Sequence, residues 1–168
     1  MTGPTMTGPT MTGPTMVTER ELRRLTGAGV LALVVLCTYW TLWFTARSIV
    51  ASSTTAAYVE FEDAFPLADA WLGVATLLSV RAVRAGRATA LLWLLTAGGA
   101  GVYLFCMDVL YDLEHGIYAA GAGGVIELGI NLLTLALSAW FLRWAWRRRD
   151  ALLSGGGRVG PPAGGSGR

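Results

Sequence analysis

Three acidic residues lie inside long apolar stretches of the sequence, where a charge is costly. Asp69, Asp108 and Glu127 each fall about one helical turn from the same predicted end of a different stretch. An ionised carboxyl group at the centre of a membrane helix costs about 2.5–3.5 kcal/mol, and less near the interface. Each acid therefore needs a proton, a bound cation or a positively charged group of another molecule. This pattern predicts a site for a cation or a lipid headgroup.

Further polar residues share helix faces with these acids. Glu127, Asn131, Thr134 and Ser138 are spaced by 4, 3 and 4 residues, which places them in a helical stripe about 60° wide. Polar stripes on membrane helices point toward other helices, because hydrocarbon offers polar groups no partner. We therefore expect one polar site between the helices, built from six candidate ligand- or cation-binding residues: Asp69, Asp108, Asp112, Glu127, Asn131 and Arg47.

The same residues have a purely structural interpretation. Asp69 and Glu127 follow the predicted starts of their helices, where the helix dipole favours an acid. Asp108 and Asp112 lie at a helix C-terminus, where the dipole disfavours an acid, and Arg47 is their expected partner. The sequence leaves the structural and the ligand-binding interpretations open.

A metal site is a further hypothesis. His115 and Glu114 are adjacent, and Asp112 is close in sequence. Such an oxygen-rich set would favour calcium, magnesium or manganese over zinc. However, His115 is the only histidine, and the chain has no His-Glu-x-x-His helix. No motif identifies a cofactor, and none assigns an enzymatic activity.

Four apolar helices must position these residues. The apolar stretches predict helices at about 27–47, 65–83, 88–111 and 122–146, each near the ~20 residues that cross a bilayer. Strands are not expected, because the apolar runs are long and do not alternate. Residues 19–150 are thus predicted to form an all-α, four-helix transmembrane bundle with short loops. Only 14% of the residues are charged, which excludes an ordinary soluble enzyme.

Both ends of the sequence are predicted to be disordered tails. Residues 1–18 contain three copies of Met-Thr-Gly-Pro-Thr, and residues 151–168 are rich in glycine and proline. Glycine and proline at this density leave no apolar face to bury.

The arginines predict the orientation of the bundle. Twelve of the 13 arginines fall on one side of the four stretches, and Arg47 is the exception. The positive-inside rule makes that side cytoplasmic. Both termini are therefore predicted to lie on the cytoplasmic side of a plasma membrane. The absence of lysine beside many Arg, Ala and Gly residues is typical of a bacterial protein from a GC-rich genome. The net charge of +2 is too small to favour nucleic acid as a partner.

These observations predict a small integral membrane protein with an outward-facing carboxylate and arginine site. That site would bind a cation or a lipid headgroup, or would support assembly with a membrane-protein partner or a second copy in the lipid bilayer. Two alternatives use the same residues. One is a membrane-embedded enzyme acting on a lipid at the outer leaflet, and the other is a subunit of a transporter.

Overall fold

The computed structural model describes residues 17–154, which form an all-α bundle without strands. Four spans are long and apolar enough to cross a membrane, as the sequence predicts for a small multi-pass membrane protein. The predicted tails 1–18 and 151–168 lie almost entirely outside the described residues. The helices are α1 Glu19–Val50, α2 Ala56–Glu62, α3 Pro66–Arg84, α4 Thr89–Glu114 and α5 Ala122–Leu153, with a short 3-10 helix η1 at Ile117–Ala119.

The first and last helices are longer than the sequence predicts. Helix α1 begins at Glu19 because Thr18 and Glu21 form a capping box, in which the Glu21 amide donates to Thr18 Oγ1 at 3.3 Å. Helix α5 continues to Leu153 instead of ending near residue 146. The apolar pattern marks only the part of a helix suited to hydrocarbon, whereas the hydrogen-bonded helix continues into polar sequence.

A short helix, α2, occupies the connection between the first two predicted helices, where the sequence predicts an outer loop. Thr55 caps α2 by accepting a hydrogen bond from the Tyr58 amide at 3.4 Å. Pro66 then starts α3 at a position where its missing N–H has no consequence. Helix α2 lies at the end of the bundle that also carries Val50, Glu114 and Ala122. We call this end the acidic end, and the opposite end the arginine end.

The helices pack in the order α1, α3, α4 and α5, and glycines set the closest approaches. A Cβ atom added at Gly98 of α4 would lie 2.6 Å from Leu142 Cγ of α5. A Cβ at Gly29 of α1 would lie 2.5 Å from Val80 Cγ2 of α3. Small residues let membrane helices approach this closely. In contrast, α1 and α5 contact each other far less than α4 and α5 do.

Large apolar side chains cover the outside of the bundle. Leu92 is 59% exposed and Leu132 is 54% exposed, which is unusual for such residues in water. In a bilayer these side chains face lipid. The buried apolar core lies toward the arginine end and includes Leu25, Leu94 and Phe141.

The docking of η1 on α5 depends on the absence of a side chain at Gly124. A Cβ there would overlap the Ile117 carbonyl oxygen and would lie 2.9 Å from Tyr118 Cα. We expect Gly124→Ala to destabilise the protein by about 1–3 kcal/mol, because backbone cannot move aside as a side-chain tip can. The matched control is Gly129→Ala on the same helix, where a Cβ has no neighbour within 4 Å. That control should be neutral or stabilising by up to ~1 kcal/mol. Unfolding in mixed micelles measures both, and equal effects would contradict this packing.

Candidate functional site

A cavity lies between α1, α3, α4 and α5 and opens toward its surroundings. The space free of protein atoms is about 960 Å³, including the part that is open. Four carboxyl groups line it at the acidic end, each from a different helix: Glu62 of α2, Asp69 of α3, Asp108 of α4 and Glu127 of α5. Three of these four are among the residues that the sequence predicts to form a site.

The lining changes from polar to apolar along the cavity. Thr76, Thr134 and Ser138 lie about two to three helical turns from the acid on the same helix. Beyond and beside them the walls are apolar, with Leu36 of α1 and Phe141 of α5 among the lining side chains. None of the described residues that line the cavity is basic. The acidic end of the cavity therefore has no positively charged side chain in its wall.

Aromatic side chains of α1 hold two of the four acids. Tyr39 Oη donates to Glu62 Oε2 at 2.8 Å, and Trp40 Nε1 donates to Asp69 Oδ2 at 2.9 Å. A buried polar group without a hydrogen bond is costly, so these bonds let α2 and α3 place carboxyl groups against α1. Asp69 lies in the first turn of α3, where the dipole also favours it.

The segment after α1 holds the third acid. Ser52 Oγ donates to Glu127 Oε2 at 2.6 Å, and Tyr58 Oη donates to the same oxygen at 3.4 Å. The Ser52 amide in turn donates to Tyr58 Oη at 3.2 Å. Glu127 is only 6% exposed, and this small network connects it to the start of α2.

Asp108 differs from the other three acids. Its carboxyl group makes no hydrogen bond or ion pair with any residue between 17 and 154, although the residue is half-buried. Asp108 thus lines the cavity with a carboxyl group that has no partner among residues 17–154. A molecule that supplied a positive charge or an N–H donor would find an unused acceptor there.

Asp112 and Asn131 belong to a separate cluster. Asn131 Nδ2 donates to Asp112 Oδ2 at 3.0 Å and to Tyr118 Oη at 2.9 Å. Burial and the nearby Asp112 carboxylate raise the pKa of Tyr118 to about 12. Asp112 and Asn131 are 2% and 1% exposed and do not line the cavity. These two predicted site residues therefore join α4, η1 and α5 instead of facing the cavity.

Arg47 does not become the expected partner of Asp108 and Asp112. Its guanidinium lies 3.5 Å from Asp63 Oδ1 and 4.5 Å from the centre of the Trp43 ring. Asp63 also accepts a hydrogen bond from Trp43 Nε1 at 2.9 Å. The backbone of α1 is non-helical at Ala46, with φ −149° and ψ 53°, so the last turn departs from the helix line. Arg47 consequently ends on the exposed rim, outside the cavity lining.

The residues of the metal hypothesis lie apart from the cavity. His115 and Glu114 are exposed at the end of α4. His115 Nδ1 lies 2.9 Å from the Tyr111 carbonyl oxygen, and its ring stacks on Tyr111 at a centroid distance of 4.0 Å. Within residues 17–154, no group of three or more His, Cys, Asp and Glu side chains is arranged to hold a metal ion.

The sequence did not identify Glu62 as a site residue, nor Tyr39 as its partner. Glu62 lies outside the four predicted helices, yet it is 6% exposed. A signal was present, since Tyr58 and Glu62 are four residues apart and share one face of α2, where both are buried. Tyr39 gave no such signal, because an aromatic residue in an apolar helix is expected whether or not it binds an acid.

Comparisons with protein-family models, curated proteins and solved structures found no match for this chain. The residues and their geometry alone therefore carry the functional argument.

Asp112 and Asp108, one turn apart on α4, should respond differently to removal. Asp112→Ala removes the buried acceptor of the Asn131 amide, so we expect a loss of about 1–3 kcal/mol. Asp108→Ala breaks no hydrogen bond and should change the stability by less than about 0.5 kcal/mol. Unfolding in mixed micelles measures the difference. A loss at Asp108 as large as that at Asp112 would show that Asp108 is also structural.

Proposed function

We propose that this small membrane protein binds a positively charged group in the outward-facing acidic end of its cavity. The observation that carries this proposal is the cavity wall, which has four carboxyl groups and no basic residue among its described lining. The hydrogen bonds from Tyr39, Trp40 and Ser52 satisfy oxygens but add no charge. A cationic ligand supplies both the missing charge and a partner for Asp108.

The geometry favours an organic cation over a metal ion. The four acids come from four helices and surround a wide cavity, and within residues 17–154 they do not form a cluster suited to a metal. Inorganic ions need several oxygens at 2.0–2.6 Å from one point. An ammonium group suits the site better, because it can donate to separate carboxylates at ordinary hydrogen-bond distances. Apolar walls with a few polar side chains, as in this lining, are typical of sites for small organic molecules.

The orientation in the membrane is part of this proposal. The exposed arginines Arg81, Arg84 and Arg87 lie around the connection between α3 and α4, and the positive-inside rule places this end in the cytoplasm. The acidic end, with α2 and η1, then faces outward. We propose a bacterial plasma membrane as the location, with both termini inside, on the arginine distribution and the composition described above.

Cysteine labelling of intact cells tests this orientation. In a background without Cys37 and Cys106, we expect Ser53→Cys to react with a maleimide that does not cross membranes. Ala85→Cys, in the exposed turn between α3 and α4, should react only after the cells are opened. Labelling of both positions from the same side would contradict the four-span arrangement.

Binding of a short amine tests the proposed function. We expect n-butylamine, which is protonated at neutral pH, to bind the purified full-length protein, and uncharged 1-butanol not to bind. Glu62→Gln, Asp69→Asn and Asp108→Asn should each weaken butylamine binding by about 10-fold or more, because each removes a charge that pairs with the ammonium. Calorimetric titration in detergent measures these affinities.

The matched control is Glu60→Gln. Glu60 lies on the same short helix as Glu62 but is exposed and outside the cavity, so its replacement should leave the affinity unchanged. Equal binding of butylamine and butanol, or an equal effect of E60Q and E62Q, would refute the proposal. Saturable binding of Ca²⁺ without any binding of butylamine would instead support the inorganic-cation hypothesis.

A further inference from the structure

The cavity is deeper than a small cation requires. Its lining on α5 extends from Glu127 to Phe141, a separation of 14 residues or about 21 Å at 1.5 Å per residue. Half the thickness of the hydrocarbon core is about 15 Å. The lining therefore starts among the acids and continues past the level expected for the middle of the membrane. Its deep part is walled by apolar side chains such as Leu33, Leu137 and Phe141.

Most of the residues that line the cavity beyond the acids belong to α1 and α5. The polar contacts that bridge these segments within residues 17–154 lie at the two ends, Glu21 with Arg148 and Ser52 with Glu127. Between these ends, the lining residues Leu36 and Leu133 are only half-buried. On the other sides of the cavity, in contrast, α3 packs tightly against α4, and α4 packs tightly against α5. The weakly packed seam between α1 and α5 is thus the side from which a chain in the bilayer can reach the cavity.

We propose that the ligand is a long-chain cationic amphiphile, with an ammonium group among the acids and an alkyl chain along the apolar wall. This inference rests on the proposed binding of a cationic group and adds the substrate class and the route between α1 and α5. An alkyl chain matches the apolar walls of the deep part of the cavity. The acids favour a positive charge on the head group of the same molecule.

Charge complementarity selects one kind of lipid-like molecule. A zwitterionic phospholipid would bring a phosphate beside four carboxyl groups, and the described lining has no basic residue to pair with it. An amphiphile whose head carries only positive charge avoids this repulsion. We therefore infer an alkylamine or alkylammonium compound as the ligand class.

Binding of dodecylamine to the full-length protein in lipid nanodiscs tests this inference. Specific binding is the part of radiolabelled dodecylamine that excess butylamine displaces. We expect dodecylamine to bind at least 10-fold more tightly than butylamine, since each buried methylene adds up to about fourfold. Dodecanol and dodecylphosphocholine should not displace it, because one lacks the charge and the other adds a phosphate.

Two variants of α5 separate the chain site from the head site. Leu137→Trp should fill the apolar part of the cavity and weaken dodecylamine binding at least 10-fold, with butylamine binding changed by less than twofold. The matched control is Leu132→Trp. Leu132 is 54% exposed on the outside of the bundle, so this substitution should change the affinity for neither amine. Equal effects of the two tryptophans, or displacement by dodecylphosphocholine, would overturn the inference. If butylamine also fails to bind the unmodified protein, the proposed function fails as well.

A photoreactive group at the far end of the chain tests the same inference without any mutation. Dodecylamine that carries a terminal diazirine should label the deep lining around Leu137 and Phe141 on irradiation. Excess butylamine should prevent this labelling. Labelling confined to lipid-facing residues such as Val125 and Leu132 would contradict the proposed position of the chain.

Discussion

The placement of four carboxyl groups around one cavity in an apolar bundle constrains the rest of this structure. Each carboxyl oxygen that leaves water needs a donor or a counter-charge. Tyr39 and Trp40 of α1 and Ser52 after it provide three donors. Helix α1 contacts α5 far less than α4 does. Arg47, the arginine predicted on the same side of the membrane as the acids, pairs with Asp63 on the exposed rim instead. The described wall of the cavity therefore contains four carboxyl groups and no basic side chain.

Packing between the other helices explains why the cavity remains open. The glycines Gly98 and Gly101 bring α4 and α5 together, and Gly29 does the same for α1 and α3. The buried cluster of Asp112, Asn131 and Tyr118 fixes the acidic ends of α4 and α5. Within residues 17–154, the polar contacts across the seam between α1 and α5 lie at its two ends. This uneven distribution of close contacts leaves a cavity with carboxyl groups at one end and apolar walls in the rest.

Much of this arrangement could be predicted from the sequence, and the limits have physical causes. Long apolar stretches predicted the four helices, and the spacing of Glu127, Thr134 and Ser138 predicted a stripe that does line the cavity. The contribution of α2 could not be read from hydropathy, because seven residues are too few to show a membrane pattern. The position of Arg47 depends on the non-helical backbone at Ala46, which the sequence pattern does not reveal. Which side chain pairs with which acid depends on tertiary packing. Asp112 and Asn131 were accordingly assigned to the site, although they pair with each other.

A crystal structure with a bromine-labelled ammonium compound tests the central claim most directly. The claim is that the cavity among Glu62, Asp69, Asp108 and Glu127 takes up a positively charged group. With 2-bromoethyl-trimethylammonium, the account predicts an anomalous bromine peak inside this cavity, within a few ångströms of the Asp108 carboxyl group. The uncharged analogue 1-bromo-3,3-dimethylbutane should give no peak there. A peak only on the lipid-facing surface, or the same peak with both compounds, would contradict the account.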